Sequence, residues 1–227
     1  MHIEPGVVVG AKAGLGFATA FGGFAWIVKQ SMAAIRRDGF TALGVRSFIA
    51  TLMVFCFFQV LPHFPVGVSE VHFILGSTLF LMFGAAPAAI GLSLGLLLQG
   101  LLFAPLDLPQ YGMNVTSLVL PLLAIHFLAR RIIPANTAYK DIQYRHALAL
   151  SSAFQGGVVA WVAFWAVYGQ GFGAENMTAI ASFGVTYLMV IAVEPLIDLG
   201  VLASVKSLHK AAESGVFHSR MHHGAAV

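Results

Sequence analysis

HFILGSTLFLMFGAAPAAIGLSLGLLLQGLLFA, residues 72–104, runs without a single Asp, Glu, Lys or Arg. A helix needs about 20 apolar residues to cross the hydrocarbon core of a bilayer. The run is too long for one ordinary crossing, and Gly84-Ala85-Ala86-Pro87 breaks it. The break predicts a short helix from His72 to Phe83, a turn, and a second helix over 87–104. Comparable apolar runs at 6–28, 41–61, 113–133, 147–169 and 178–202 raise the expected number of helices to about seven.

Composition supports lipid as the solvent for nearly all of the chain. Of its 227 residues, 59% are hydrophobic and only 9% charged, and the mean hydropathy is +0.86. That charge is too sparse to cover a water-soluble domain of this size. The reading is an all-α integral membrane protein, one transmembrane domain over 1–203 and a polar, His-containing tail over 204–227. One cysteine, Cys56, excludes a disulfide framework and reads as a small packed hydrophobe. No Lys or Arg precedes the first apolar run, so a cleaved signal peptide is not expected and the chain is read as starting at Met1.

Of the twelve Lys and Arg residues, all but Lys12, in the first turns of the first helix, sort by membrane side. Lys29, Arg36, Arg37 and Arg46 flank the first link; Arg130, Arg131, Lys140 and Arg145 lie before the sixth run; Lys206, Lys210 and Arg220 lie in the tail. Links 62–71, 105–112 and 170–177 carry Glu70, Asp107 and Glu175 and no base. The positive-inside rule then puts the N-terminus outside and the C-terminus in the cytoplasm. A single crossing over 72–104 would reverse the sorting; a full hairpin and a re-entrant pair both preserve it. Distributed in this way, the bases form no nucleic-acid patch.

A short helix from His72 leaves the preceding link, 61–71, dipping into the membrane. Irregular backbone at that depth is tolerated only inside protein or around a cavity, a setting typical of transporter binding sites. His2 is the second unusual histidine. A chain beginning Met-His offers the Met1 amine, the deprotonated backbone nitrogen of His2 and the His2 imidazole, which close adjoining five- and six-membered chelate rings. Ionising an amide nitrogen requires a metal of tetragonal preference such as Ni(II) or Cu(II), with Co(II) also suited. His72 is the natural fourth nitrogen. His126 reads as a bundle-facing polar residue, His63 as an outer-loop residue that attracts cations, and His146, His209, His218, His222 and His223 as interfacial or tail residues.

Two further groups attract notice. Gly10, Gly14, Ala18 and Gly22 recur every fourth residue and permit close helix contact, inside the bundle or with another membrane subunit. Glu194 and Asp198 lie one turn apart near the inner end of the last run. Intramembrane carboxylates are functional by default; contact with a partner subunit or inner-interface arginines is favoured over a proton relay.

Met1-His2-Ile3-Glu4-Pro5-Gly6 resembles the Met-His-Ile-x-x-Gly opening of the CbiM/NikM family, the cobalt- and nickel-specific substrate-binding (S) components of energy-coupling factor transporters. The resemblance continues through Phe64-Pro65-Val66-Gly67 to His72, then Leu97-Leu98-Gln99-Gly100-Leu101-Leu102-Phe103 and Gly112-Met113-Asn114, about the first 120 residues. It implies an S-component bundle with an added N-terminal helix and a planar four-nitrogen site from Met1, His2 and His72. Asn114 and Gln99 are implied as supporting residues. Where the family has Thr-Ser-Gly-His, this chain has Ser69-Glu70-Val71-His72, so Glu70 adds a carboxylate; a second family Asn is replaced by Ser117.

The resemblance also implies partners: a transmembrane coupling (T) subunit, a pair of cytoplasmic ATPases and a small auxiliary membrane subunit, in a bacterial or archaeal cytoplasmic membrane. The chain has no Walker-type loop and is read as a transport component, not an enzyme. It is read as carrying no permanent cofactor, only the transported Ni(II) or Co(II). The competing readings are a secondary transporter or channel working without ATPases, a membrane haem protein, and a vitamin-binding S component.

Overall fold

The computed structural model describes residues 3–213. Its helices are α1 (Ala13–Asp38), α2 (Phe40–Gln59), α3 (Gly76–Phe83), α4 (Ala85–Leu102), α5 (Tyr111–Ile132), α6 (Tyr144–Gln170) and α7 (Ala174–Glu213). Six of them are long and apolar enough to cross a membrane, all but α3. The chain is therefore a multi-pass helical membrane protein. Met1, His2 and residues 214–227, with His218, His222 and His223, lie outside the described residues.

The chain crosses between α2 and α4 by a composite route. A two-stranded hairpin, β1 (Phe64–Val66) and β2 (Ser69–Val71), leads into irregular backbone and then α3. At 1.5 Å per residue the eight residues of α3 span only about 12 Å, less than half the hydrocarbon core. Yet α2 and α4 run parallel. A Cβ built on Gly91 would lie 2.6 Å from that of Ala50, and one on Gly95 would lie 2.5 Å from Val54, so the numbering rises together along both helices. Residues 60–84 must therefore return from one end of the bundle to the other. His72 does not begin a helix, as the sequence suggested; it lies four residues before α3. His72 and Ile74 are buried at 1% and 0%. The irregular residues just before α3 are therefore enclosed in protein, the condition under which such backbone survives in a bilayer.

The break expected over 84–87 is narrower than its four residues. Gly84 alone forms it, at φ +90° and ψ 172°, a region essentially restricted to glycine. Pro87 sits in the first turn of α4, where its missing N–H costs nothing. Gly39, at φ +87°, joins α1 to α2 in the same way.

The most buried spans are α4 and α5, with 61% of their apolar windows inside the bundle against 22% for α1. The core joins Trp165, Phe154 and Val158 of α6, Phe183 and Tyr187 of α7, Leu92 and Leu96 of α4 and Phe58 of α2. α1 packs on α5 through Gly16 and Gly23: a Cβ on Gly16 would meet Met113 at 2.7 Å. Its ridge of Gly10, Gly14, Ala18 and Gly22 lies on the opposite, exposed face, and no atom stands within 4 Å of a Cβ built on the three glycines. Packing of that ridge within the bundle is thus corrected, because a different set of small residues fills the α1–α5 contact. Cys56 is likewise exposed on the apolar outside of α2 and not packed in the core.

Lys12, the one base away from the others, donates to the carbonyl of Gly169 at 2.9 Å near the C-terminal end of α6. A cation there meets the negative end of the helix dipole.

Candidate metal centre

The N-terminal segment, the hairpin and α5 meet at one place. Ile3 pairs with Ser69 in an antiparallel bridge, and Glu4 donates its N–H to Val68 O at 3.1 Å. The N–H of Ile3 donates to Oδ1 of Asn114 on α5 at 2.9 Å. Ile3 and Asn114 are both 1% exposed, so this bond is shielded from water. Val7 and Val8 are buried after it, and the carbonyl of Val7 lies 1.9 Å from where a Gly169 Cβ would stand. Gly169 is glycine because the segment lies flat on α6. The hairpin is seated in the same manner: Gly67, at φ +63°, leaves no room for a Cβ, which would meet the Ala179 carbonyl of α7 at 2.1 Å.

His72 follows the second strand directly. Its Nε2 lies 2.8 Å from Oε2 of Glu70, a carboxylate about one-quarter exposed. The Phe58 ring packs against it at 5.1 Å, and the His63 ring stacks parallel at 5.0 Å and 8°. A carboxylate on one ring nitrogen fixes the tautomer and the ring's orientation and makes the imidazole a better donor through the other. Gln99 is buried and donates to the carbonyl of Phe58 at 3.4 Å, so it supports the aromatic wall behind His72. Ser117 donates to the Asn114 carbonyl at 2.7 Å, inside α5.

Glu194 and Asp198 are also brought to this region, from below. Glu194 accepts the N–H groups of Ile74 and, at 3.0 Å, Leu75, and the side-chain amide of Gln155. Tyr187 donates to the other end of Gln155 at 2.7 Å. Asp198 accepts the hydroxyls of Ser77 and Thr78. The two acids are 0% and 2% exposed. The expectation that they face a partner subunit or interfacial arginines is therefore corrected: both are consumed inside the chain, satisfying the first turn of α3 and the backbone before it.

Several participants were not singled out from sequence. Ser77, Thr78, Gln155 and Tyr187 are polar residues inside apolar runs, which is their one local signal. The aromatic Phe58 carries none, since nothing in its own helix says that it faces a histidine.

Among the described residues no three His, Cys, Asp or Glu side chains cluster to hold a metal by themselves.

The fold has solved counterparts. The chain is similar to a transition metal transporter at TM-score 0.65, with 16% identity over 98% of each chain. It is similar also to a truncated transition metal transporter at TM-score 0.61, with 16% identity over 94% of this chain and 99% of that one. At that identity the likeness speaks for the fold. No curated protein matches the sequence. A family model described as the cobalt uptake substrate-specific transmembrane region spans residues 2–212, and the protein belongs to that family, CbiM.

Proposed function

We propose that the chain is the metal-capturing component of an energy-coupling factor importer for Ni(II) or Co(II). The metal is held in a plane by the Met1 amine, the backbone and imidazole nitrogens of His2, and the His72 imidazole. The observation that carries this reading is the docking of Ile3 on the strand that leads to His72. Met1 and His2 directly adjoin Ile3, a reach of about 7 Å, and Ile3 is paired only three positions from His72. Glu70 occupies Nε2 of His72, so the metal takes Nδ1. Asn114 holds the peptide unit joining positions 2 and 3, and Gln99 and Ser117 steady the walls. The transported ion is the ligand, with no permanent cofactor.

Transport then needs partners, because this chain only binds: a T subunit, a pair of ATPases and a small auxiliary subunit, in a bacterial or archaeal cytoplasmic membrane with the N-terminus outside. The exposed ridge of Gly10, Gly14, Ala18 and Gly22 suits close approach of one of them.

The chelate releases the amine and amide protons on binding. Below the ordinary amine range of about 8, loss of two protons steepens the affinity to roughly 100-fold per pH unit, weaker as pH falls. Calorimetric titration with Ni(II) and Co(II), on protein bearing any tag at the C-terminus, should show that slope. His2→Ala, or one residue added before Met1, should abolish tight binding; tight binding with a blocked amine would refute the site.

A further inference from the structure

We infer that Glu194 is a positioning residue for the metal ligand His72, acting through the backbone two and three residues further on. The inference rests on the four-nitrogen reading above. It assigns to α7 a part in that site which no residue of the first half of the chain supplies.

The stretch between His72 and α3 has no secondary structure to hold it. Residues 72–75 are outside the β-ladder and outside the helix. Leu75 even takes a left-handed conformation, φ +52° and ψ +35°, which a branched side chain adopts rarely and at some cost. Left to local preference, these residues would not keep His72 in one place. They are instead clamped by one carboxylate. Glu194, fully buried, reaches across from α7 and takes the N–H of Ile74 on one oxygen and that of Leu75 on the other. A carboxylate is the side chain for this task. Both N–H groups point at it, as at the start of any helix, and both of its oxygens accept.

The carboxylate is in turn held. Gln155 of α6 donates to Oε2 of Glu194, and Tyr187, two turns back along α7, donates to the amide oxygen of Gln155. Below, Asp198 fastens Ser77 and Thr78, and Gly76 presses against the ring of Phe154, where a Cβ would stand 2.2 Å from an aromatic carbon. The backbone after His72 is thus referenced to α6 and α7. The hairpin before it is referenced to the N-terminal segment and to Ala179 of α7. His72 sits between two clamps, and its position depends on both.

Glutamine at 194 would keep the length but present an NH2 to groups that are themselves donors, so at most one of the backbone bonds survives. Aspartate keeps the carboxyl group and is one methylene shorter, so it cannot reach both N–H groups from the same place on α7. Groups that orient metal ligands from behind typically contribute 10- to 100-fold in affinity. The full-length protein with an unmodified N-terminus is titrated with NiCl2 as native, Glu194→Gln, Glu194→Asp and His72→Ala forms. Kd, the visible absorption of bound Ni(II) and the apoprotein melting temperature are read on the same samples. We expect both Glu194 variants to bind roughly 10- to 100-fold more weakly, with the Ni(II) band displaced toward that of His72→Ala. A folded Glu194 variant with native Kd and native band overturns the inference, whatever its melting temperature. If Glu194→Gln does not fold, Glu194→Asp alone decides. Should the native protein itself bind neither Ni(II) nor Co(II), it is the four-nitrogen reading that fails.

Discussion

Asn114→Leu isolates the contact on which the N-terminal segment depends. The substitution keeps the side-chain volume nearly constant and removes the acceptor for the N–H of Ile3, a bond of 2.9 Å. Both residues are 1% exposed, so water does not replace it. Leaving one buried donor unsatisfied costs about 1–3 kcal/mol. The remaining anchors decide where that cost falls. Glu4 stays bonded to Val68, Ile3 remains opposite Ser69, and Val7 and Val8 stay buried. The segment therefore holds from Ile3 onward, and the peptide unit before it, next to the proposed chelate, loses its anchor. Bundle stability should change little, while metal affinity bears most of the penalty. At 1.4 kcal/mol per tenfold, Kd rises by about 5- to 150-fold. Titration calorimetry with Ni(II) measures it, beside thermal melting of the apoprotein. Native affinity within twofold in a folded variant would show that the Ile3–Asn114 bond does not organise the site.

Gly84→Ala should destabilise by about 1–3 kcal/mol through backbone strain alone, since open space surrounds the new Cβ; an unchanged melting temperature would mean that this turn forms otherwise. Phe58→Ala removes a ring that is 0% exposed and should cost about 3–5 kcal/mol. It should also weaken Ni(II) binding by freeing one face of His72, which separates it from core truncations elsewhere, such as Val158→Ala, that lower melting without moving Kd. Gly67→Ala should impair the hairpin's seat on α7, read as a lower melting temperature together with weaker Ni(II) binding, because the added methyl meets a carbonyl with no freedom to withdraw.

What was legible from sequence was whatever lipid enforces. Hydropathy marked all six long helices, with ends within about a turn of those found except in α1 and α7, which run on as α-helix past the apolar core to Asp38 and Glu213. Polar helix ends satisfy their backbone in water and need no apolar residues, so hydropathy stops before the helix does. His72 was legible as an oddity, a histidine heading an uncharged run. Its surroundings were not. The hairpin before it has only three residues a strand, below any period-2 signal, and it owes its place to contacts with Ile3 and Ala179 that are far away in sequence. Glu194 and Asp198 were noticed as intramembrane acids and given the wrong direction. Position along a helix says how deep a carboxylate lies and not which neighbour supplies its donors, and here the donors come from residues 39 to 121 positions earlier.

The two one-residue turns have a mechanical consequence. Gly39 and Gly84 join their helix pairs at the same end of the bundle, where Ala34, Leu43 and Ala86 pack together. That end also carries Arg36, Arg37 and Arg46. A joint of one residue stores no slack. A subunit leaning on this face meets helix ends almost directly, and a displacement of α4 cannot be taken up in a loop before it reaches α3. Because α3 begins four residues after His72, the distance from the Gly84 joint to the candidate metal centre is bridged by about two turns of helix and one short tether.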